Sequence, residues 1–415
     1  MKGKCGENRE MNKRIYLDNA ATTRVSEAVL QEMLPYFREN YANPSAIYSF
    51  AGEAKKAVGI ARERAASLIG AKPNEIYFTA GGSESDNWAI RAVAEGLSDK
   101  GRHIITSKIE HHAVLHTCQY LEKQGYEVTY LDVDGEGKIS PEALEKAIRP
   151  DTILISVMAA NNEIGTTQPV ARIGEIAKEH GILFHTDAVQ AYGHVPLHME
   201  EMHIDLLSAS AHKLNGPKGV GLLYCRENVR LRPLIHGGAQ ERGRRAGTLN
   251  VPGIVGFGKA AAIAGETMQE RCAKETDLRD YLIDRVLAEI PYTRLNGARQ
   301  DRLSNNAHFC FRFIEGESLL ILLDQRGICG SSGSACTSGA LDPSHVLLAI
   351  GLPHEIAHGS LRLTLSAETT KEEIDVTVEA LKEIVGRLRD MSPLYEDAMK
   401  EREGKYVQRK SDGSF

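Results

Sequence analysis

No stretch of about twenty apolar residues occurs in the chain, so no membrane-spanning helix is expected. The N-terminal MKGKCGENRE is polar and lacks the apolar core of a signal peptide, which argues against export. Charge of one sign is also scarce: 50 Lys and Arg against 56 Asp and Glu leave a net −6 over 415 residues. A general nucleic-acid binder needs a basic face, so direct nucleic-acid binding is not expected. Seven cysteines form no CxxC pair, which weakens a zinc-ribbon or thioredoxin-like reading. An odd count without a regular spacing suits a reducing compartment, and a cytoplasmic location is the expectation. There is no internal repeat and no low-complexity tract.

What is present is an ordinary globular composition, 42% hydrophobic, in a chain long enough for two domains sharing a cleft. Short apolar runs (76–78, 103–106, 153–157, 182–185, 206–209) alternate with amphipathic helical stretches such as 51–69, 84–95 and 170–179. This alternation predicts an α/β fold, with a mainly parallel sheet covered by helices on both faces. Ligands on such sheets bind beyond the carboxyl ends of the strands. A helical stretch from 252 to 289 leads towards a smaller α+β region with a strand near 308–312 and helices near 317–324 and 371–389. The expected division is a large domain over 14–262, a small C-terminal domain over 263–400, and loose termini at 1–13 and 401–415.

Two residues carry chemistry most sharply. Lys213, in Ser208-Ala209-Ser210-Ala211-His212-Lys213, is framed by small residues and followed by the Asn215-Gly216-Pro217 turn. Lysine is the side chain that forms a Schiff base with a pyridoxal aldehyde. Cys336 sits in the run SSGSACTSG (331–339), whose serines and glycines are a poor setting for a buried structural thiol. An amine and a reachable thiol together point to sulfur chemistry on an amino acid.

Four further segments fall where strands end. Thr79-Ala80-Gly81-Gly82-Ser83 precedes a helix, where free N–H groups and close backbone approach suit an anion. His111, in Glu110-His111-His112, is placed to stack on an aromatic ring. Asn162, in Asn161-Asn162-Glu163-Ile164-Gly165, is a polar donor after an apolar run. Asp187 can pair with a protonated pyridine nitrogen, and Gln190 lies three residues on. Each has a plainer reading as a turn, a cap or a surface side chain. His112 and His116 have i,i+4 spacing, but no HExxH pattern or neighbouring cysteine supports a metal, and none is expected. The order of these stations along the chain says more than any one of them.

Together the motifs resemble the cysteine desulfurases of the NifS/IscS group, aspartate-aminotransferase-like (fold type I) pyridoxal-phosphate enzymes. The resemblance rests on Tyr16 to Thr23, Asn43-Pro44-Ser45, Thr79 to Asn87, Glu110-His111, Asn161 to Gly165, Asp187 to Gln190, Ser210 to Gly219, Arg245 to Thr248 and Ser331 to Ser338. It runs from about residue 14 to 389. It implies pyridoxal 5'-phosphate as cofactor, bonded to Lys213, with His111 stacked on the ring. It assigns Asp187 and Gln190 to the ring nitrogen and phenolic oxygen, and Gly82, Ser83, Ser210 and His212 to the phosphate. Thr248 would reach the phosphate of a neighbouring subunit, implying a homodimer with composite sites. Arg362, aided by Asn162, would hold the substrate carboxylate.

The implied reaction takes sulfur from L-cysteine, leaving alanine and a persulfide on Cys336, with Lys213 and His111 handling protons. Sulfur would pass to an acceptor such as an iron–sulfur scaffold or a tRNA-thiolation enzyme. A selenocysteine lyase, or another β-lyase or aminotransferase on the same fold, is the alternative. Three positions depart from the family pattern: the pair Gly81-Gly82 before the phosphate serine, Tyr48 in place of a histidine, and Ala367-Glu368 where Gly-Arg is common.

Overall fold

The computed structural model describes residues 14–332 and 343–402. Cys336 and Cys5 lie outside the described residues. The described chain begins with the short strand β1 (Ile15–Tyr16). Seven strands then build the central sheet: β2 (Ile76–Thr79), β3 (His103–Ser107), β4 (Glu127–Leu131), β5 (Thr152–Ser156), β6 (Leu183–Asp187), β7 (Leu206–Ser210) and β8 (Gly221–Cys225). Further on come β9 (Thr293–Leu295), β10 (Asn306–Phe311), β11 (Ile328–Cys329) and β12 (Ser360–Thr364).

The central sheet has the order β2-β8-β7-β6-β5-β3-β4. Only β8 runs against its neighbours; the β3–β4, β3–β5, β5–β6 and β6–β7 pairs are parallel. Every residue of β3, β5, β7 and β8 is buried, as a sheet covered on both faces requires. The two-residue period of a strand separates the two faces cleanly. Ile105, Ile155, Leu207 and Leu222 enter one core, with Phe184 and Phe257. Their chain neighbours Ile104, Leu154, Leu206 and Leu223 enter the other, with Trp88 and Val114. Each such side chain contributes about 1.5–3 kcal/mol on burial, so a one-residue slip would reverse a large favourable sum.

The expected strands and helices form with ends shifted by one or two residues. The helix after the glycine pair spans Gly82–Gly96, so Gly82 is its first residue. Asp187 is the last residue of β6, which sets its carboxylate at the sheet's carboxyl edge. Strand β4 escaped the sequence reading because it is an edge strand: of its five residues only Leu131 is buried, and no apolar run marks it.

The 39-residue helix Val251–Glu289 joins two cores. Its Ile254, Phe257 and Ala261 pack with the central sheet. Its Leu282, Ile283 and Val286 pack with β10, β12 and the helix Lys371–Asp390, and Ile15 and Leu17 join this second core. The second sheet has the antiparallel order β12-β10-β9. Leu361 and Leu363 of β12 point into that core. Alternation therefore turns Arg362, buried between them and paired with His308 of β10, to the opposite face, towards the central sheet.

Candidate active site

The carboxyl ends of β2, β3, β5, β6 and β7 deliver Gly82-Ser83, His111, Asn162, Asp187 and Lys213 to one crevice. The order of the sheet reverses about β3, with β4 on one side and β5 on the other, which opens such a crevice.

At one end is a cup of roughly 530 Å³ lined by Thr22, Gly81, Gly82, Ser83, Ser210, His212 and Lys218. Ser85 is the first residue whose N–H bonds back within the helix, to the Gly81 carbonyl at 3.1 Å. The N–H groups before it belong to the helix N-terminus, the positive end of the dipole. A methyl group at position 82 would come within 2.5 Å of Val189 Cγ2, so glycine is required for the cup to press against the segment after Asp187. Burial, with the charges of Lys213 and Lys218 adding, lowers the His212 pKa to about 4. Its Nδ1 lies 3.1 Å from the Thr22 hydroxyl.

Beside the cup, Asp187 is buried and accepts the Val189 N–H at 2.9 Å. Burial raises its pKa, opposed by the positive influence of His111 and Lys213. Lys213 Nζ donates to the carbonyls of Ala20 at 2.5 Å and Ala21 at 2.9 Å, and Gln190 Nε2 donates to the same Ala20 carbonyl at 2.9 Å. His111 caps the helix His112–Glu122: its Nδ1 accepts the Ala113 N–H at 3.1 Å, which leaves Nε2 to carry the proton of the neutral ring. A larger cavity, about 1070 Å³, lies against Lys213 between Tyr16–Ser26 and the long helix.

Opposite, Arg362 is 3% exposed. It donates to the Asn162 carbonyl at 3.0 Å and pairs with Asp18 at 2.9 Å. Its Nε has no partner among the described residues.

The structure brings Gly82, Ser83, His111, Asn162, Asp187, Gln190, Ser210, His212, Lys213 and Arg362 together. Thr248 is not among them: it is exposed and lines neither cavity. Sequence reasoning assigned no role to four residues that the structure places at or behind the crevice. Lys218 reaches both cavities, and Asp18 pairs with Arg362. Behind Asp187, Asp86 is fully buried and its Oδ1 is 3.7 Å from His185 Nε2. Burial pushes Asp86 well above the usual carboxylate range, with Asp187 adding to the effect. Glu110, pushed by burial to about 8, takes the Ser107 hydroxyl at 2.5 Å and the Met158 N–H at 3.0 Å, bracing the ends of β3 and β5. The Ser-Glu-Ser-Asp and Glu-His sequences held these acids in view, but only burial separates them from ordinary surface carboxylates.

A family model described as aminotransferase class-V matches residues 15–377. The chain belongs to the aminotransferase class-V family. It is 57% identical over 397 residues to a cysteine desulfurase IscS of Clostridium botulinum (strain Hall), covering 95% of this chain and 100% of that one. It is 59% identical over 383 residues to a cysteine desulfurase IscS of Methanosarcina thermophila, covering 92% and 95%. A solved structure titled NifS-like protein superimposes with a TM-score of 0.85 at 42% identity, covering 90% of this chain and 100% of that chain.

Class-V aminotransferases and cysteine desulfurases are pyridoxal-phosphate enzymes, and the crevice fits that cofactor. The cup offers an anion a helix N-terminus, two serine hydroxyls and Lys218. Glu84, the one acid lining it among the described residues, is already matched by Arg245 at 2.8 and 3.0 Å. Asp187 is a buried carboxylate that a cation beside it would hold ionised. Lys213 stands between the two, its amine donating to the carbonyls of Ala20 and Ala21.

Proposed function

We propose that the protein is a pyridoxal-phosphate-dependent cysteine desulfurase, removing sulfur from L-cysteine to leave L-alanine and a persulfide on Cys336. One observation carries the reading furthest. Arg362 and Lys213, from opposite sides of the crevice, converge on the four-residue turn Asp18–Ala21. A guanidinium fork for a carboxylate and an amine for proton transfer at the adjacent carbon thus meet on one short turn.

When bound, the cofactor supplies an aldehyde that bonds amino nitrogen and a ring that withdraws electrons from the adjacent carbon. Gly82, Ser83, Ser210 and His212 would hold its phosphate, Asp187 and Gln190 its ring nitrogen and phenolic oxygen, and His111 its ring face. Arg362 exchanges Asp18 for the substrate carboxylate, with Asn162 beside it. The Lys213 amine takes the Cα proton and returns it. The Cys336 thiolate attacks the substrate sulfur: the S–S bond forms as the Cβ–S bond breaks, and Cβ gains a proton to give alanine. A free thiol titrates near ~8.5, so a proton acceptor close to Cys336 is needed near neutrality; His111 is the candidate once its Nε2 proton has been given up, since its Nδ1 is taken by the Ala113 N–H.

A homodimer belongs to the same reading. Leu34, Phe37, Tyr41, Ile47, Tyr48 and Phe50 are exposed within one stretch of chain, a concentration of apolar surface that a second copy would cover. Thr248 would then serve the neighbouring cup. Sulfur leaves on an acceptor protein, for iron–sulfur cluster assembly or another thio-cofactor such as thiolated tRNA. Substituting Cys336→Ala is expected to keep the yellow absorbance of bound cofactor and abolish sulfide release from cysteine. Full retained activity would end the proposal.

A further inference from the structure

The loop between β8 and the long helix is fastened to its own subunit by two ion pairs. Arg62 meets Glu241 through two bonds of 2.8 and 2.6 Å, with the Glu241 side chain 1% exposed. Glu241 also accepts the Phe78 N–H of β2 at 2.9 Å. Further along, Arg245 meets Glu84 bidentately at 2.8 and 3.0 Å, both side chains mostly buried. Glu84 in turn accepts the Ala80 N–H at 2.8 Å, so it belongs to the frame of the cup.

Between these fasteners the backbone is strained. Glu241 and Arg242 have φ of 46° and 59°, the left-handed region that L side chains rarely adopt. Such a conformation persists when its surroundings impose it, and here two largely buried ion pairs do so. Past Arg245 the chain is tied again: the Gly247 N–H donates to Gln240 Oε1 at 3.0 Å, and Asn250 caps the long helix through the Gly253 N–H at 3.1 Å. Thr248 lies between these ties, exposed and not lining its own cup.

Resting on the dimer reading above, we propose that the Glu84–Arg245 pair is a positioning device that links the two active sites. Its glutamate frames the cup of its own subunit, and its arginine sets the place of Thr248 for the cup of the other. A local fastening of the loop would be felt only within one subunit. The linked device is felt in both.

The test uses heterodimers purified through two tags. One chain carries Lys213→Ala, so lysine-bound cofactor absorbance reports only the other chain. Adding Arg245→Gln to the Lys213→Ala chain is expected to weaken cofactor retention by the unsubstituted chain about tenfold, the effect of one lost hydrogen bond to a phosphate. Adding Thr248→Ala to the same chain should give a similar loss, and the two together no more than either alone. Arg245→Lys, which keeps the charge but not the fork, should recover part of it. If Arg245→Gln prevents folding, as thermal unfolding would reveal, the isosteric Glu84→Gln takes its place with the same expected readout. Retention unchanged in the unsubstituted chain, in a proven dimer, overturns the proposal and leaves the functional reading intact. A monomer by sedimentation removes the dimer reading and this proposal with it, while sulfide release from cysteine still reports on the desulfurase reading.

Discussion

The two walls of the crevice are made differently. The central-sheet wall consists of strand ends fixed by cores on both faces. Its acids, Asp86, Glu110 and Asp187, are buried and pushed up in pKa by desolvation. The opposite wall offers one guanidinium, Arg362, held by a partly exposed Asp18 and a backbone carbonyl. The first wall cannot rearrange without breaking a packed core, so it suits a cofactor that stays. The second can exchange one carboxylate for another at little structural cost, so it suits a substrate that comes and goes.

Lys213→Ala breaks the first wall at its reacting atom. Turnover of cysteine should fall by at least ~10²–10⁴-fold, the usual weight of a positioned proton-transfer group, and lysine-bound cofactor absorbance should vanish. Arg362→Lys tests the second wall. It keeps the charge and loses the planar fork, so kcat/KM for cysteine should drop roughly 10–100-fold while the absorbance of the resting enzyme stays unchanged. Steady-state kinetics beside a spectrum of each variant separates the walls; loss of the spectrum in Arg362→Lys would show that they are one unit.

Much of the first wall was legible in the sequence, for a physical reason. Strand ends carry polar residues immediately after apolar runs, so Asp187 and Lys213 announce themselves by a change of composition, and the glycine pair by its place before a helix. Arg362 was found by resemblance alone. Its own strand, Ser-Leu-Arg-Leu-Thr, reads as an alternating strand with one face turned to solvent, and only the second sheet's position turns that face inward. Asp86, Glu110 and Lys218 were not assigned because an acid or lysine near a helix start usually faces water. Their roles depend on what packs over them, which no local pattern encodes.

Glu110 sharpens the comparison through pH. Its folded pKa of about 8 lies above the ordinary 4.5, so between those values the folded chain holds a proton that the unfolded chain has lost. Stability contributed by this group therefore falls as pH rises through that window, by up to about 1.4 kcal/mol per pH unit. Glu110→Gln removes this slope. In urea unfolding at pH 5 and pH 8, the variant should gain on the parent at the higher pH, with the difference near zero at the lower. A constant difference at both would mean that Glu110 is ionised in the folded chain.

The smallest effect is expected at the rim, at Glu368. Glu368 pairs with Arg24 at 2.8 Å, but the two side chains are 73% and 77% exposed. Water and salt screen such a pair, with a Debye length of about 8 Å at physiological ionic strength, and ordering two long side chains offsets most of the attraction. Glu368→Ala should therefore change unfolding free energy by about 0–1 kcal/mol, and the change should shrink further at 1 M salt. The pair also sits beside Lys274, which donates to the Ala367 carbonyl at 2.6 Å, so the backbone here has a second tie that the substitution leaves in place. A loss well above 1 kcal/mol that persists in high salt would make this rim part of the fixed wall. The boundary between the two walls would then have to move outwards to include it.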